Sequence, residues 1–191
     1  MSSEGVIPPV DEKDIRIKNS IFDSDPDNIE KIARLFSRIW KETGVESATI
    51  RHVVQFGPGV GIDTAALAVL FSQADFELID YHDLFHPSLK ANPRIHFVQG
   101  LFIEVLERGL IQQVPDLTVL RFISRHHGFN EDNISLLQKL VGERYLFTQG
   151  DNGGLERQKW FRDAFKFLKV LETDSYFDNA TLWAAREAKE V

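Results

Sequence analysis

Between His52 and Ala68 an apolar run, His52-Val-Val-Gln-Phe56, passes through Gly57, Gly59 and Gly61 into a second apolar stretch of helical character. The run suits a strand buried on both faces, and glycine at alternate positions suits a turn that brings bare backbone to the strand's carboxyl end. A helix starting near Ile62 adds unpaired N–H groups and a positive dipole end. The next apolar run, Phe76-Glu-Leu-Ile-Asp80, closes on an acid where a ribose diol needs an acceptor. Turn and acid together point to an adenosine-type ligand.

The pattern repeats along the chain. Asp25-Pro26 supplies a capping acid and a first-turn proline for a helix over 26–43, with Ile29, Ile32, Leu35, Phe36, Ile39 and Trp40 at helical spacing and Gly44 after it. Strands are predicted at 50–55, 75–80, 94–98, 117–123 and 144–148, and helices near 62–73, 101–111, 131–141 and 155–165. Near-continuous apolar strands separated by helices imply a parallel sheet covered on both faces. Near the end, Phe167–Thr173 and Tyr176–Ala185 read as two strands with only Asp174-Ser175 or so between them. So short a connection holds no crossover helix, so the pair is antiparallel. The expected fold is α/β: a doubly wound, mostly parallel seven-stranded sheet with an antiparallel C-terminal hairpin and helices on both faces. Residues 1–25 read as a flexible N-terminal arm and 26–191 as one domain.

Bulk properties narrow the function. A formal charge of −7 over 191 residues argues against nucleic acid, whose binding is driven by clustered cations. The absence of cysteine removes disulfides, thiolate nucleophiles and cysteine metal sites. No apolar run reaches membrane-spanning length, and the first residues lack a basic region followed by an apolar core, so a cytoplasmic protein without a membrane partner is expected.

The dinucleotide fingerprint needs glycine at its first, third and sixth positions, but here the sixth is Ile62. Glycine at the first, third and fifth resembles motif I of the class I S-adenosylmethionine-dependent methyltransferases. The likeness runs from about residue 26 to the end. Asp80 matches the family's ribose-binding acid, and Gln99-Gly100-Leu101-Phe102 the segment near the adenine. Pro115–His127 is similar to the fourth-strand motif, and the hairpin ending in Leu182–Arg186 to the sixth and seventh strands. The resemblance implies S-adenosyl-L-methionine as cofactor, held by Gln55, Phe56, Gly57, Gly59, Gly61, Asp80, Tyr81, Gly100, Leu101 and Arg121. Two positions depart from the family: Gln55 stands where it usually has Glu or Asp, and Gly100-Leu101 where it often has Asp.

Other residues admit a plainer reading beside the functional one. His126 and His127, beside Arg125, are candidates for a general base near neutrality, or form a solvated turn before Asn130. Arg121, inside an apolar run, needs a partner: the cofactor's carboxylate, or a structural acid such as Asp116 or Asp151. Asp63 and Thr64 read as helix-start residues. His82 and His86 flank Asp83 without zinc spacing, and no metal is expected. Phe85, Trp160 and Phe161 read as core or lid packing, and Gln149–Gly154 as a turn or a substrate border. The leading function is methyl transfer to an oxygen or nitrogen of a small molecule or protein. A cap over the acceptor comes from residues 1–45, from loops at 82–92 and 124–130, or from a second copy in a homodimer. The alternatives are a catalytically inactive methyltransferase-like module acting through protein contacts, and a Rossmann-type oxidoreductase.

Overall fold

The computed structural model describes residues 26–42, 46–121, 123, 129–142, 144–149, 158–166, 168–174 and 180–185. Seven strands form one sheet: β1 (His52–Phe56), β2 (Asp75–Asp80), β3 (Ile95–Gln99), β4 (Leu117–Arg121), β5 (Tyr145–Gln149), β6 (Leu168–Asp174) and β7 (Ala180–Ala185). Their order is β3-β2-β1-β4-β5-β7-β6. The first five strands pair in parallel, while β7 runs antiparallel to both β5 and β6. Only β7 is reversed, as the expected hairpin required. The expected strand start at Tyr176 lies outside the described residues, and the span from Asp174 to Ala180 is too short for a crossover helix.

The chain moves outward from β1 to β3 and then returns to β4 on the other side of β1. In an open parallel sheet a crevice forms outside the carboxyl ends of the strands at such a reversal. That topology places the glycine turn, which leaves β1, at the switch point.

Helices cover both faces. On one, α1 (Pro26–Glu42) buries Ile32, Leu35, Phe36 and Trp40 against Leu67 and Phe71 of the α2 region (α2, Ile62–Leu70) and against Phe76, Leu78, Val119 and Phe147 of the sheet. On the other, α4 (Phe102–Glu107), α5 (Ile134–Val141) and α6 (Lys159–Ala164) enclose Phe56, Leu120, Phe129, Leu137, Phe161 and Phe165. Phe85 and Phe161 are core residues on opposite faces of the sheet, and Trp160 packs partly buried beside Phe161, in line with the packing reading. β1 is buried at every position, which only a strand covered on both faces requires. Helix α4 stops well short of the expected residue 111, because Gly109 turns the chain with φ 61°. A short helix, α3 (Pro87–Lys90), was not anticipated; His86 caps it through Nδ1 and Pro87 opens it. Among the described residues no helix is long and apolar enough to cross a membrane.

Candidate active site

The turn between β1 and α2 is tied down before it can meet any ligand. Gly57 N–H donates to the Ile79 carbonyl of β2 at 2.8 Å, and Gly61 N–H donates to Pro58 O at 2.9 Å. All three glycines have positive φ, 67° at Gly57, 56° at Gly59 and 95° at Gly61. Their surroundings differ. A Cβ on Gly57 would lie 2.7 Å from Ile123 Cδ1 and 3.7 Å from Phe102 Cζ. A Cβ on Gly61 would collide with the Phe85 ring and with Leu89 Cδ1, 2.5 Å away. On Gly59 it would meet nothing within 4 Å. At Gly57 and Gly61 a side chain is thus excluded by the protein's own packing, while at Gly59 only the positive φ disfavours one.

Asp80 faces that opening. It ends β2, is 6% exposed, and its carboxylate accepts from Gly59 N–H at 3.3 Å and from His82 N–H at 3.2 Å. Both bonds are long, at the far end of the usual N–H···O range, and a carboxylate has room for more. Burial pushes the Asp80 carboxyl above its ordinary value, while backbone N–H groups of His82, Gly59 and Tyr81 and the nearby His82 pull it back. The neighbouring backbone is braced: Gly100 N–H donates to Asp80 O at 3.0 Å, and Gln99 Nε2 donates to Tyr81 O at 3.2 Å. Half-buried Tyr81 and His82 hold their rings 4.2 Å apart.

Gln55 and Phe56 lie beneath the turn. Phe56 is fully buried among Phe102 and Phe129. Gln55, fully buried on the opposite face, accepts from the Thr64 hydroxyl of α2 through Oε1 at 2.8 Å, while Nε2 has no partner among the described residues. Thr64 is thus a structural member of the helix start. Leu101, half-buried, precedes α4, and Gly100 lies tight against Val105. Arg121 is the last residue of β4, at the carboxyl edge and paired with Gln149. Of its suggested partners, Asp116 sits at the opposite end of β4 and holds Arg144 at 2.9 Å, so it belongs to the amino edge; Asp151 lies outside the described residues. Arg125, His126, His127 and most of the 149–154 segment also lie outside them.

The loop after Asp80 is built for packing. Asp83 pairs with Lys90 at 2.6 Å, and His86 Nδ1 meets Ser88 Oγ at 2.7 Å. Among the described residues no three His, Asp or Glu side chains converge as a metal site. The contacts missed from sequence are those sealing the turn: Ile123 and Phe102 on Gly57, and Phe85 and Leu89 on Gly61. Leu84, Phe85 and Leu89, apolar within a polar stretch, carried the signal for the second pair.

Solved structures share this fold. An O-methyltransferase family protein from Burkholderia thailandensis superposes with TM-score 0.53 at 14% identity, over 85% of this chain and 59% of that one. This is the class I methyltransferase fold. A caffeoyl-CoA O-methyltransferase, so assigned in Staphylococcus aureus, matches with TM-score 0.52 at 10% identity, over 94% of this chain and 86% of that one. An O-methyltransferase from neocarzinostatin biosynthesis, in complex with S-adenosylmethionine and 2-hydroxy-5-methyl naphthoic acid, matches with TM-score 0.52 at 14% identity, over 91% and 60%. The chain thus spans less than two thirds of the first of these structures and of the third. No protein-family profile matches the sequence, and no curated protein does.

Proposed function

We propose that this chain is an S-adenosylmethionine-dependent methyltransferase acting on an oxygen or nitrogen of a small molecule or protein. One observation carries the reading: Asp80 and the open backbone of Gly59 face each other at the carboxyl edge of the sheet, in a methyltransferase fold. A cradle that a Cβ would fill, beside a carboxylate with unused acceptor capacity, fits an adenosyl group. Asp80 would receive the ribose hydroxyls, Gly59 would let the ligand lie on the main chain, and Tyr81, Gly100 and Leu101 would border the base. The cofactor supplies a methyl already activated on a sulfonium. The chain's residues therefore contribute alignment and exclusion of water more than bond-breaking chemistry. A base is needed only where the acceptor must lose a proton, and His126 and His127 are the candidates for it.

Calorimetry with S-adenosylmethionine and S-adenosylhomocysteine tests the reading. Binding of both is expected, with an Asp80→Ala loss of at least about tenfold, since hydrogen bonds to a charged acceptor contribute about 1.5–3 kcal/mol. Silence from both ligands at millimolar concentration would end it. A second reading, a module that binds the cofactor without using it, is favoured by the neutral, fully buried Gln55 and the apolar Leu101. Cofactor binding without methyl transfer to any acceptor class would decide for that module.

A further inference from the structure

The face of the sheet covered by α4 and α5 carries an apolar surface that the methyltransferase reading leaves unused. Between these helices and the loop Gly109–Val114 lies an open cleft of about 320 Å³, lined by Leu106, Ile111, Leu136 and Leu140. Beside it, Leu110 is 38% and Val114 67% exposed, and among the described residues only Val69 is a comparable exposed apolar side chain elsewhere. The loop is no slack connection. Gly109 N–H donates to Leu106 O and Leu110 N–H to Val105 O, each at 3.1 Å, and Gln112 N–H reaches both oxygens of buried Glu77 at 3.1 Å. Leu110 and Val114 are therefore held in place, and a preformed surface loses little freedom on contact. Single exposed apolar residues are ordinary, but two beside an unfilled apolar cleft make a patch. Charges at the rim narrow the occupant. Glu107 ends α4 and Lys139 stands on α5; both line the cleft and are exposed, and neither has a hydrogen-bond or ion-pair partner among the described residues.

We propose that a second copy of this chain docks on this face as a two-fold dimer. A surface paired with itself across a two-fold axis must carry both halves of every contact, because each copy offers the same patch. This patch does so, with a projecting apolar pair beside an apolar cleft and an acid beside a base. Leu110 and Val114 of each copy enter the other's cleft, and Glu107 of each meets the partner's Lys139. A small apolar ligand would fill the cleft yet leave Leu110 and Val114 in water. The loop leads into Asp116 at the amino edge, so the contact lies away from the Asp80 crevice and is independent of the proposed chemistry.

Sedimentation equilibrium on the full chain tests the docking. A dimer with a dissociation constant in the micromolar range is expected, as suits a contact of modest size. Val114→Asp, which carries a charge into the partner's cleft, should weaken it at least about tenfold. Glu107→Lys and Lys139→Glu each bring like charges together twice per dimer and should each cost about tenfold. The double variant restores opposite charges and should return to within about threefold of the wild type. All these side chains are exposed, and thermal unfolding by circular dichroism confirms that each variant is folded. A chain that stays monomeric to millimolar concentration would overturn the assignment, as would a dimer indifferent to these variants or a double variant no better than the singles. A monomer that takes up the apolar dye anilinonaphthalene sulfonate, and loses it with Val114→Asp, would make the cleft a small-molecule site instead.

Discussion

Two edges of the same sheet use carboxylates in opposite ways. At the amino edge, Asp116 accepts from the backbone N–H of Arg51 at 2.9 Å and of His52 at 3.1 Å, and holds the Arg144 guanidinium at 2.9 Å. Glu77, buried, shares both oxygens with Gln112 N–H at 3.1 Å. At the carboxyl edge, Asp80 holds two N–H groups at 3.3 and 3.2 Å, lies near His82, and has no ion pair with Lys or Arg among the described residues. The amino-edge acids join strands to loops and are used up in doing so. Asp80 is costly to bury and only partly repaid by its own protein, which is the condition of a group kept for a ligand. Glu77 and Asp80 are buried to similar depth, at 4% and 6% exposed, so between those two the difference lies in the partners.

The largest effect should come from the turn itself. Gly61→Val forces a β-branched side chain into φ 95° and into the space of Phe85 and Leu89. Such strain and overpacking together should lower stability by about 3 kcal/mol or more, read by denaturant unfolding. Gly59→Ala meets only the strain of positive φ and should lose about 1 kcal/mol, yet should weaken adenosyl binding because the methyl enters the open cradle. Equal stability losses at the two positions would mean that Gly59 is as packed as its neighbour, and the cradle would disappear with that result.

Next in size is the exchange between the edges. Asp116→Ala strands two backbone N–H groups and a guanidinium, at a cost of about 2–3 kcal/mol in stability, with ligand affinity unchanged. Asp80→Asn should alter stability by less than about 1 kcal/mol, because losing a buried charge offsets the weakened bonds. Its ligand affinity should fall at least about tenfold. Reversed outcomes would reverse the assignment of the two edges.

The sequence carried the sheet well, because burial of a parallel strand on both faces leaves an unbroken apolar record, as in β1. β3, the edge strand, is less regular: Ile95 is buried while His96 and Gln99 are exposed. Helix α3 escaped notice because four residues display no helical period, although His86-Pro87-Ser88 held a capping signal. At the turn, the spacing marks three glycines without distinguishing them, and the fold shows that a Cβ at two of them would meet side chains from elsewhere. Phe102 and Ile123 reach Gly57 from β3–α4 and from beyond β4, and Phe85 and Leu89 reach Gly61 from around α3. Local spacing announces that glycine is needed; only the fold says what crowds it.

The smallest expected effect is a dependence on pH, and it separates the two edges without altering a core residue. The Asp80 carboxyl titrates above its unfolded value of 3.8, chiefly through burial. Between those two pKa values the folded chain binds more protons than the unfolded one, so stability falls as pH rises through that window. The stabilising contribution is whole below pH 3.8 and gone above the folded pKa. Ligand affinity should run the other way, since the ribose hydroxyls need the ionised acceptor, and should weaken as pH falls through the same window. Comparing the wild type with Asp80→Asn isolates the group: the variant should lose this part of both slopes. A wild-type profile in which stability and affinity decline together on acidification, unchanged by Asp80→Asn, would show that the titrating carboxylate lies elsewhere, and the contrast between the edges would rest on geometry alone.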